Sequence, residues 1–477
     1  METFRPGRVG LVTTANEERP MKSPIKTINP TNGDIIDTYD LMSDQQVETA
    51  IQACHDAFDQ WRLVSLEDRA AKIEAIGQAL RDSKEDFAQL MTREVGKLIG
   101  DSRDEIDLCA AICDFTAAQG PKELADEERD IPDGKGVITY APIGVIYGMQ
   151  PWNFPCYQVI RYAVANLMAG NGVLLKHASN CTGSGLFLRD LMDRAGLPEN
   201  LFTVLVIDHD QSDKVIANDL VRGVTMTGSD GAGRVVAQQA AKYLKKTVLE
   251  LGSNDAYVVL GDADLDLAVA TCVAGRLYNN GQTCVAAKRF IVTDANYDTF
   301  VERFTDEMSQ VNLVDPAEAD SGLGPMARTD LRDDLAKQVE ESVAKGAKVL
   351  CGGEVPDREG AYYPATVLVD VAPGQPAYDD ELFAPVASVI RAKDDDDALR
   401  IANDSRYGLG GGIFSKDVKR ARDLAAKHFD TGMVCINKYN LAIPNMPFGG
   451  VKDSGYGREH GGFGMKEFVN AKSLYIA

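Results

Sequence analysis

The sequence contains no CxxC pair, no HExxH and no cluster of histidines, of which there are five in 477 residues. Zinc sites are built on such spacings, so none is expected. Nine cysteines scattered singly do not make a disulfide framework either, and most should be buried, reduced and inert. No apolar run approaches the ~18 residues of a membrane-spanning helix. The opening METFRPGRVGLVTTANEERP lacks the basic, then apolar, then small-residue order of a secretory leader. A cytoplasmic protein without membrane contact is therefore expected. Basic charge is short as well: 50 Lys and Arg against 72 Asp and Glu leave a formal net charge of −22. Such a surface repels phosphates and argues against nucleic acid as a partner. Runs such as AKDDDDALR leave two readings of the acidity open, an ordinary soluble enzyme or one adapted to a salty cytoplasm. Repeats and low-complexity tracts are missing too. Only the opening stretch lacks sustained periodicity, and it is expected to have no fixed structure.

What is present is enough chain for two or three packed units. TINPTNGDIIDTYD is turn-rich and β-like, and Ser43 to Gln46 then form a capping box. Behind it Val47, Ala50, Ile51, Cys54, Phe58 and Trp61 recur at helical spacing, and a second amphipathic helix runs from about Leu66 to Arg81. From Gly144 short apolar strands (GVIYGMQ, GVLLKHA, FTVLVI, VRGVTMTG, TVLEL) alternate with helical segments, the pattern of a parallel α/β sheet. A second α/β block begins at AYVVL and contains helices near 265–279, 297–310 and 327–345. The boundary is placed near Gly252. One unit then comprises 21–124 and 144–251, and a second 252–460. The segments 125–143 and 461–477 fit neither and suit an arm or an oligomer contact.

The most informative segment is YNNGQTCVAAKRF. Its preceding helix is expected to end at Gly281, leaving Cys284 in the loop beyond. A cysteine taken alone is more often a small buried hydrophobe, so its company decides. A thiol that oxidises an aldehyde needs donors for an oxyanion, a hydride acceptor and a base for water. In GMQPWNFP, the Asn153 amide could donate to the oxyanion beside the Cys284 backbone N–H; the plainer reading is an ordinary turn asparagine. In KTVLELGSN, Glu250 sits inside an apolar strand, where a carboxyl of raised pKa would suit a general base, unless it is an edge charge facing water. Ser229 can cap the helix that follows VRGVTMTG, and such a terminus binds phosphate. The glycines at 228, 231 and 233 do not spell GxGxxG, so a standard dinucleotide fingerprint is absent.

Together PWNFP, GNGVLLKHA, TMTGS, VLELGSND, NNGQTC, ELFAPV and PFGGVKDSGYGRE resemble the aldehyde dehydrogenase superfamily, in order and spacing, from TINPTNGDII to the C-terminus. The resemblance implies an α/β fold with a Rossmann-type parallel-sheet cofactor domain, an α/β catalytic domain and a small β oligomerisation arm, assembled as a homodimer or homotetramer. It implies Cys284 as nucleophile, Asn153 as oxyanion donor and Glu250 as base. For NADP or NAD it implies Lys176 at the adenosine ribose, Gly228 and Ser229 at the pyrophosphate, and Glu381 and Phe383 at the nicotinamide ribose and ring. Gln150, Pro151, Trp152 and Leu251 would line the cleft. Ser179 stands where NAD-preferring members carry a glutamate, and Ala384 and Ser253 stand where glycine is commoner.

Within the family the chain is most similar to bacterial succinate-semialdehyde dehydrogenases. That subgroup implies Arg161 as the anchor of the substrate's distal carboxylate. Its second arginine, six residues before the nucleophile, is here Tyr278, with Arg276 two positions earlier. Three alternatives stay open: another small aldehyde as substrate, a coenzyme A-acylating relative that Glu250 argues against, and a thiol hydrolase or non-catalytic binding protein.

Overall fold

The computed structural model describes residues 23–319 and 321–477. The expectation for the opening stretch falls outside them. The first long helix, Asp44–Trp61, starts at the capping box: Ser43 Oγ accepts the Gln46 N–H, and Gln46 Oε1 accepts the Ser43 N–H at 2.7 Å. Val47, Ile51, Cys54, Phe58 and Trp61 form its buried stripe, every third or fourth residue. Helices Leu66–Asp82, Lys84–Val95 and Ile99–Glu123 complete this helical layer.

Five parallel strands then make the first sheet, in the order Lys246–Glu250, Val221–Thr227, Val145–Gln150, Gly172–His177, Phe202–Val204. The strand entered first lies in the middle. The chain works outward to Phe202–Val204, then returns to the other side of Val145–Gln150 for the last two strands. Crossovers therefore leave the carboxyl ends of Val145–Gln150 and Val221–Thr227 in opposite directions, and the crevice between them is where an open parallel sheet receives a ligand. Helix Tyr157–Ala169 is buried along its whole length, which explains why its sequence is mostly apolar around its circumference.

Between Glu250 and Ala256 the chain crosses into a second, seven-stranded sheet. Its order is Lys348–Cys351, Thr366–Val369, Val386–Ala392, Arg289–Thr293, Ala256–Val259, Gly411–Phe414, Cys435–Ile436, parallel except at the Lys348–Cys351 edge. Glu250 finishes a strand of one sheet, while Ala256 and Arg289 begin strands of the other. The gap between the sheets thus faces the carboxyl edge of the first and the amino edge of the second. The pair Gly455–Tyr456 returns to the first sheet, antiparallel to Glu250 and Leu249. Two residues carry no periodicity, so the sequence pattern does not show this strand.

A separate antiparallel sheet joins Glu127–Ile131, Gly134–Pro142 and Val469–Ile476, the last paired along its full length from Pro142 to Lys135. The protein is an α/β protein with this small β appendage. Among the described residues no helix is long and apolar enough to cross a membrane.

One helix end differs from the expectation. The helix from Leu265 stops at Leu277 rather than near Gly281, because Asn279 and Asn280 take left-handed φ values of 55° and 54°. Asparagine pays least among residues with a side chain for that conformation. Gly281, at φ 73°, has no alternative: a Cβ there would lie 2.4 Å from the Ala384 carbonyl carbon.

Candidate active site

A cavity of about 250 Å³ opens between the two sheets and brings most of the singled-out residues to one wall. Pro151, Trp152, Asn153, Gly228, Ser229, Glu250, Leu251, Cys284, Glu381 and Phe383 all line it. Gln150, Lys176, Ser179 and Arg161 do not.

Asn153 is buried in the turn after the central strand. Its Oδ1 accepts Gln158 Nε2 at 3.0 Å, and its Nδ2 donates to the Gln282 carbonyl at 3.2 Å. Gln158 thus fixes which end of the amide faces the cysteine loop. Asn279 Nδ2 ties the loop to the turn from the other side, donating to the Asn153 and Gln282 carbonyls at 2.8 and 3.1 Å. Asn280 holds the loop's far flank, donating to the Gly96 and Pro325 carbonyls and accepting the Gly324 N–H. The left-handed pair in NNGQTC is therefore the buried hydrogen-bonded base of the loop. Among the described residues the Cys284 backbone N–H has no acceptor. It and the Asn153 amide are donors that an oxyanion in this cavity could use.

Electrostatics set the resting state. Burial pushes the Cys284 thiol up to about 12, against the Arg161 and Lys288 charges that pull it down. Lys288 is buried, donates to the Cys284 carbonyl and pairs with Glu381 at 3.0 Å. Glu381 also accepts the Ser253 N–H at 3.1 Å. Glu250 is 2% exposed and neither carboxyl oxygen has a hydrogen-bond partner. Burial, then the nearby Glu459, hold its carboxyl well above the usual carboxylate range, with Arg161 and Arg458 opposing. A buried, unpartnered carboxyl on the wall of a cavity carries the mark of a group kept for chemistry.

The crevice side of the cavity suits a dinucleotide. Ser229 caps helix Asp230–Lys242, its Oγ accepting the Ala232 N–H at 3.3 Å, and turns that helix start toward the switch point. Gln150, at the carboxyl end of the central strand, is 3% exposed with both amide atoms unpartnered. A buried amide left wanting a donor and an acceptor fits a polar ligand in the crevice. Trp152 and Phe383 meet edge to face at 5.8 Å and make an apolar wall. Lys176 is the penultimate residue of the neighbouring strand Gly172–His177, and Ser179 lies just beyond it, exposed at the head of a single 3₁₀ turn.

Arg161, for which the resemblance implies a carboxylate-anchoring role, lies off this cavity. Its guanidinium is 1% exposed, pairs with Glu459 at 2.5 Å and donates to Thr227 Oγ1 at 2.7 Å. Tyr157 and Phe448 flank it at 5.2 and 5.1 Å. Its charge acts on Cys284 and Glu250 from behind the cavity wall. Arg276 is likewise buried and donates to the Gly281 carbonyl, also off the wall.

Sequence reasoning missed Gln158, Lys288 and Glu459. The first two left a trace, each a polar residue inside an apolar run (CYQVI, VAAKRF). Glu459 closes the motif PFGGVKDSGYGRE, but nothing local ties it to Arg161, 298 positions away.

The aldehyde dehydrogenase family model matches residues 16–474. Similar curated proteins include the succinate-semialdehyde dehydrogenase (NADP(+)) of Deinococcus radiodurans, 41% identical over 449 residues covering 94% of each chain. Another is the succinate semialdehyde dehydrogenase (NAD(P)+) Sad of Escherichia coli K12, 43% identical over 449 residues, 94% of this chain and 97% of that one. Among solved structures, succinic semialdehyde dehydrogenase from Streptococcus pyogenes in complex with NADP+ has a TM-score of 0.93 at 37% identity, covering 95% of this chain and 99% of that one. A family match over nearly the whole chain, joined to a cysteine, an amide and a buried carboxyl on one cavity wall, makes this chain a member of the aldehyde dehydrogenase family.

Proposed function

We propose that this protein oxidises succinate semialdehyde to succinate with NADP or NAD, in the cytoplasm and as a homodimer or homotetramer. The observation that carries the chemistry is the convergence of Cys284, Asn153 and Glu250 on one cavity at the switch point of a parallel sheet. The names of the relatives in Deinococcus radiodurans and Escherichia coli support the substrate.

Cys284 gives its thiol proton to solvent water and its sulfur attacks the aldehyde carbonyl, forming a thiohemiacetal. The oxygen that becomes negative meets Asn153 Nδ2 and the Cys284 N–H, donors already fixed before the reaction. When bound, the nicotinamide cofactor supplies the acceptor for the hydride that leaves the thiohemiacetal carbon. The thioester left on Cys284 is then hydrolysed: Glu250 takes a proton from water as its oxygen adds to the acyl carbon, and the sulfur departs. Gln150, Gly228, Ser229, Glu381 and Phe383 would hold the cofactor, with Lys176 at its ribose. Ser179 places no carboxylate against a 2′-phosphate, and its hydroxyl can donate to one. The Phe154, Tyr157 and Phe448 rings are buried, with Tyr157 meeting the other two edge to face.

A panel of succinate semialdehyde, butanal and other small aldehydes against both cofactors, followed by the absorbance of the reduced cofactor, tests the reading. Succinate semialdehyde is expected to give the highest kcat/KM. A neutral aldehyde turned over as well would sink the substrate assignment, and reduction of neither cofactor by any aldehyde would sink the chemistry.

A further inference from the structure

The two oxyanion donors come from segments 129 positions apart, the Asn153 turn and the loop at Gln282 to Cys284. One stretch of chain, Gly96 to Glu105, runs behind both. The Gly96 carbonyl accepts Asn280 Nδ2 at 2.9 Å. Asp101 Oδ2 accepts the Asn279 backbone N–H at 3.2 Å. One helical turn on, Glu105 Oε1 accepts the backbone N–H groups of Cys156 and Tyr157 at 2.8 and 2.9 Å. The spacing of four places both carboxylates on one face of helix Ile99–Glu123. Lys97 completes the arrangement: it forms a wholly buried ion pair with Glu105, and its ammonium stands 4.1 Å from the centre of the Phe154 ring, next to Asn153.

The chemistry described above uses none of these three charges. Burying an ion pair costs more than an apolar contact of the same volume, so stability alone gives weak reason to keep it here. Its geometry gives a stronger one. Glu105 grips the chain three and four residues after Asn153, and Asp101 grips Asn279, whose own amide donates to Asn153 and Gln282. A rigid helix thereby sets the distance between two donors that loops alone would leave loose.

We propose that Asp101 and Glu105 are positioning residues that hold the Asn153 turn and the Cys284 loop in register, so that both oxyanion donors meet one oxygen. The proposal rests on the reading of Asn153 and the Cys284 N–H as the oxyanion site.

The test is a double-mutant cycle on kcat, run with cofactor KM and melting temperature. Asn153→Ala should lower kcat by about 10²–10³, as loss of one oxyanion donor does. Asp101→Ala should lower kcat about tenfold with cofactor KM within about twofold of wild type, and Asp101→Asn, which keeps an acceptor oxygen, should recover most of it. In the Asn153→Ala background the added loss from Asp101→Ala should shrink below about twofold, because coupled groups are not additive. A full tenfold loss in both backgrounds, or Asp101→Asn as poor as Asp101→Ala, would overturn the proposal. An unchanged kcat in Asn153→Ala would instead overturn the oxyanion reading beneath it. Should Asp101→Ala not fold, Lys97→Met/Glu105→Gln and Lys97→Met/Glu105→Leu ask the same question with equal charge. Only the first retains an acceptor for the Cys156 and Tyr157 N–H groups, and equal kcat in the two would count against the proposal.

Discussion

Cys284 and Glu250 share a condition: both are drawn toward the protonated state by burial and both must work deprotonated. With the thiol pushed up to about 12, the thiolate fraction grows with pH across the neutral and alkaline range. Alkylation of Cys284 by iodoacetamide, read by peptide mass spectrometry, should therefore rise about tenfold per pH unit from 7 to 9. A plateau near the ordinary cysteine value of about 8.5 would mean that burial does not govern the thiol. For Glu250 the sign of the linkage is the reverse of that for a salt-bridged carboxylate. Its folded pKa lies above the ordinary glutamate value of about 4.3, so the stability it contributes is present below that value and is lost as pH rises through the folded pKa. Glu250→Gln removes that loss, and its melting temperature at pH 8 should equal or exceed wild type. Its kinetics should show a burst of reduced cofactor followed by slow turnover, since water has lost its base. A destabilised variant without a burst would assign Glu250 to the fold.

At the scale of elements, the end of strand Gly172–His177 delivers Lys176 and then the exposed Ser179. Ser179→Glu should shift the NADP/NAD ratio of kcat/KM toward NAD, because a carboxylate would repel a 2′-phosphate and accept from a 2′-hydroxyl. An unchanged ratio would place the ribose contact elsewhere. Elements of this kind were legible because their signals are local. The capping box at Ser43, the apolar strands bounded by glycine, and the serine cap at Ser229 each lie within a few residues. The loop base at Asn279 and Asn280 was less so: their left-handed backbone pays for itself through bonds to Asn153, Gly96 and Pro325, which are remote in sequence. Arg161 shows the same limit in a charged residue. An arginine on an apolar helix signals that a partner exists, but Glu459 is brought to it only by the bridge between Phe448 and Glu459 late in the chain. The motif residues on the cavity wall could be named in advance. The pairings of the charges behind them could not, because burial and pairing are properties of the packed molecule.

For the whole molecule, the formal charge of −22 opposes association of identical subunits, so any assembly needs a surface whose gain exceeds that repulsion. The strand Val469–Ile476 offers one. It pairs with Gly134–Pro142 along its length, yet leaves Leu474, Tyr475 and Ile476 at 40%, 79% and 53% exposure. Leu474 and Ile476 leave one face of this sheet and Tyr475 the other, so both faces carry exposed apolar side chains, and a second subunit of the proposed oligomer is the occupant that fits. Deleting residues 470–477 removes that surface and spares Phe468, whose carbonyl accepts Asn171 Nδ2 at 2.8 Å and whose ring packs with Ile146 and Val248. The buried clusters around Cys284 include none of the deleted side chains, so each truncated subunit should keep its fold. Light scattering on a sizing column should then give the mass of one subunit for the truncated protein, against two or four for the full chain. Added salt screens the acidic repulsion and should favour the assembled state of the full chain while leaving the truncated form monomeric. A truncated protein that still assembles would move the contact to another surface, and a monomeric full-length protein would end the oligomer proposal itself.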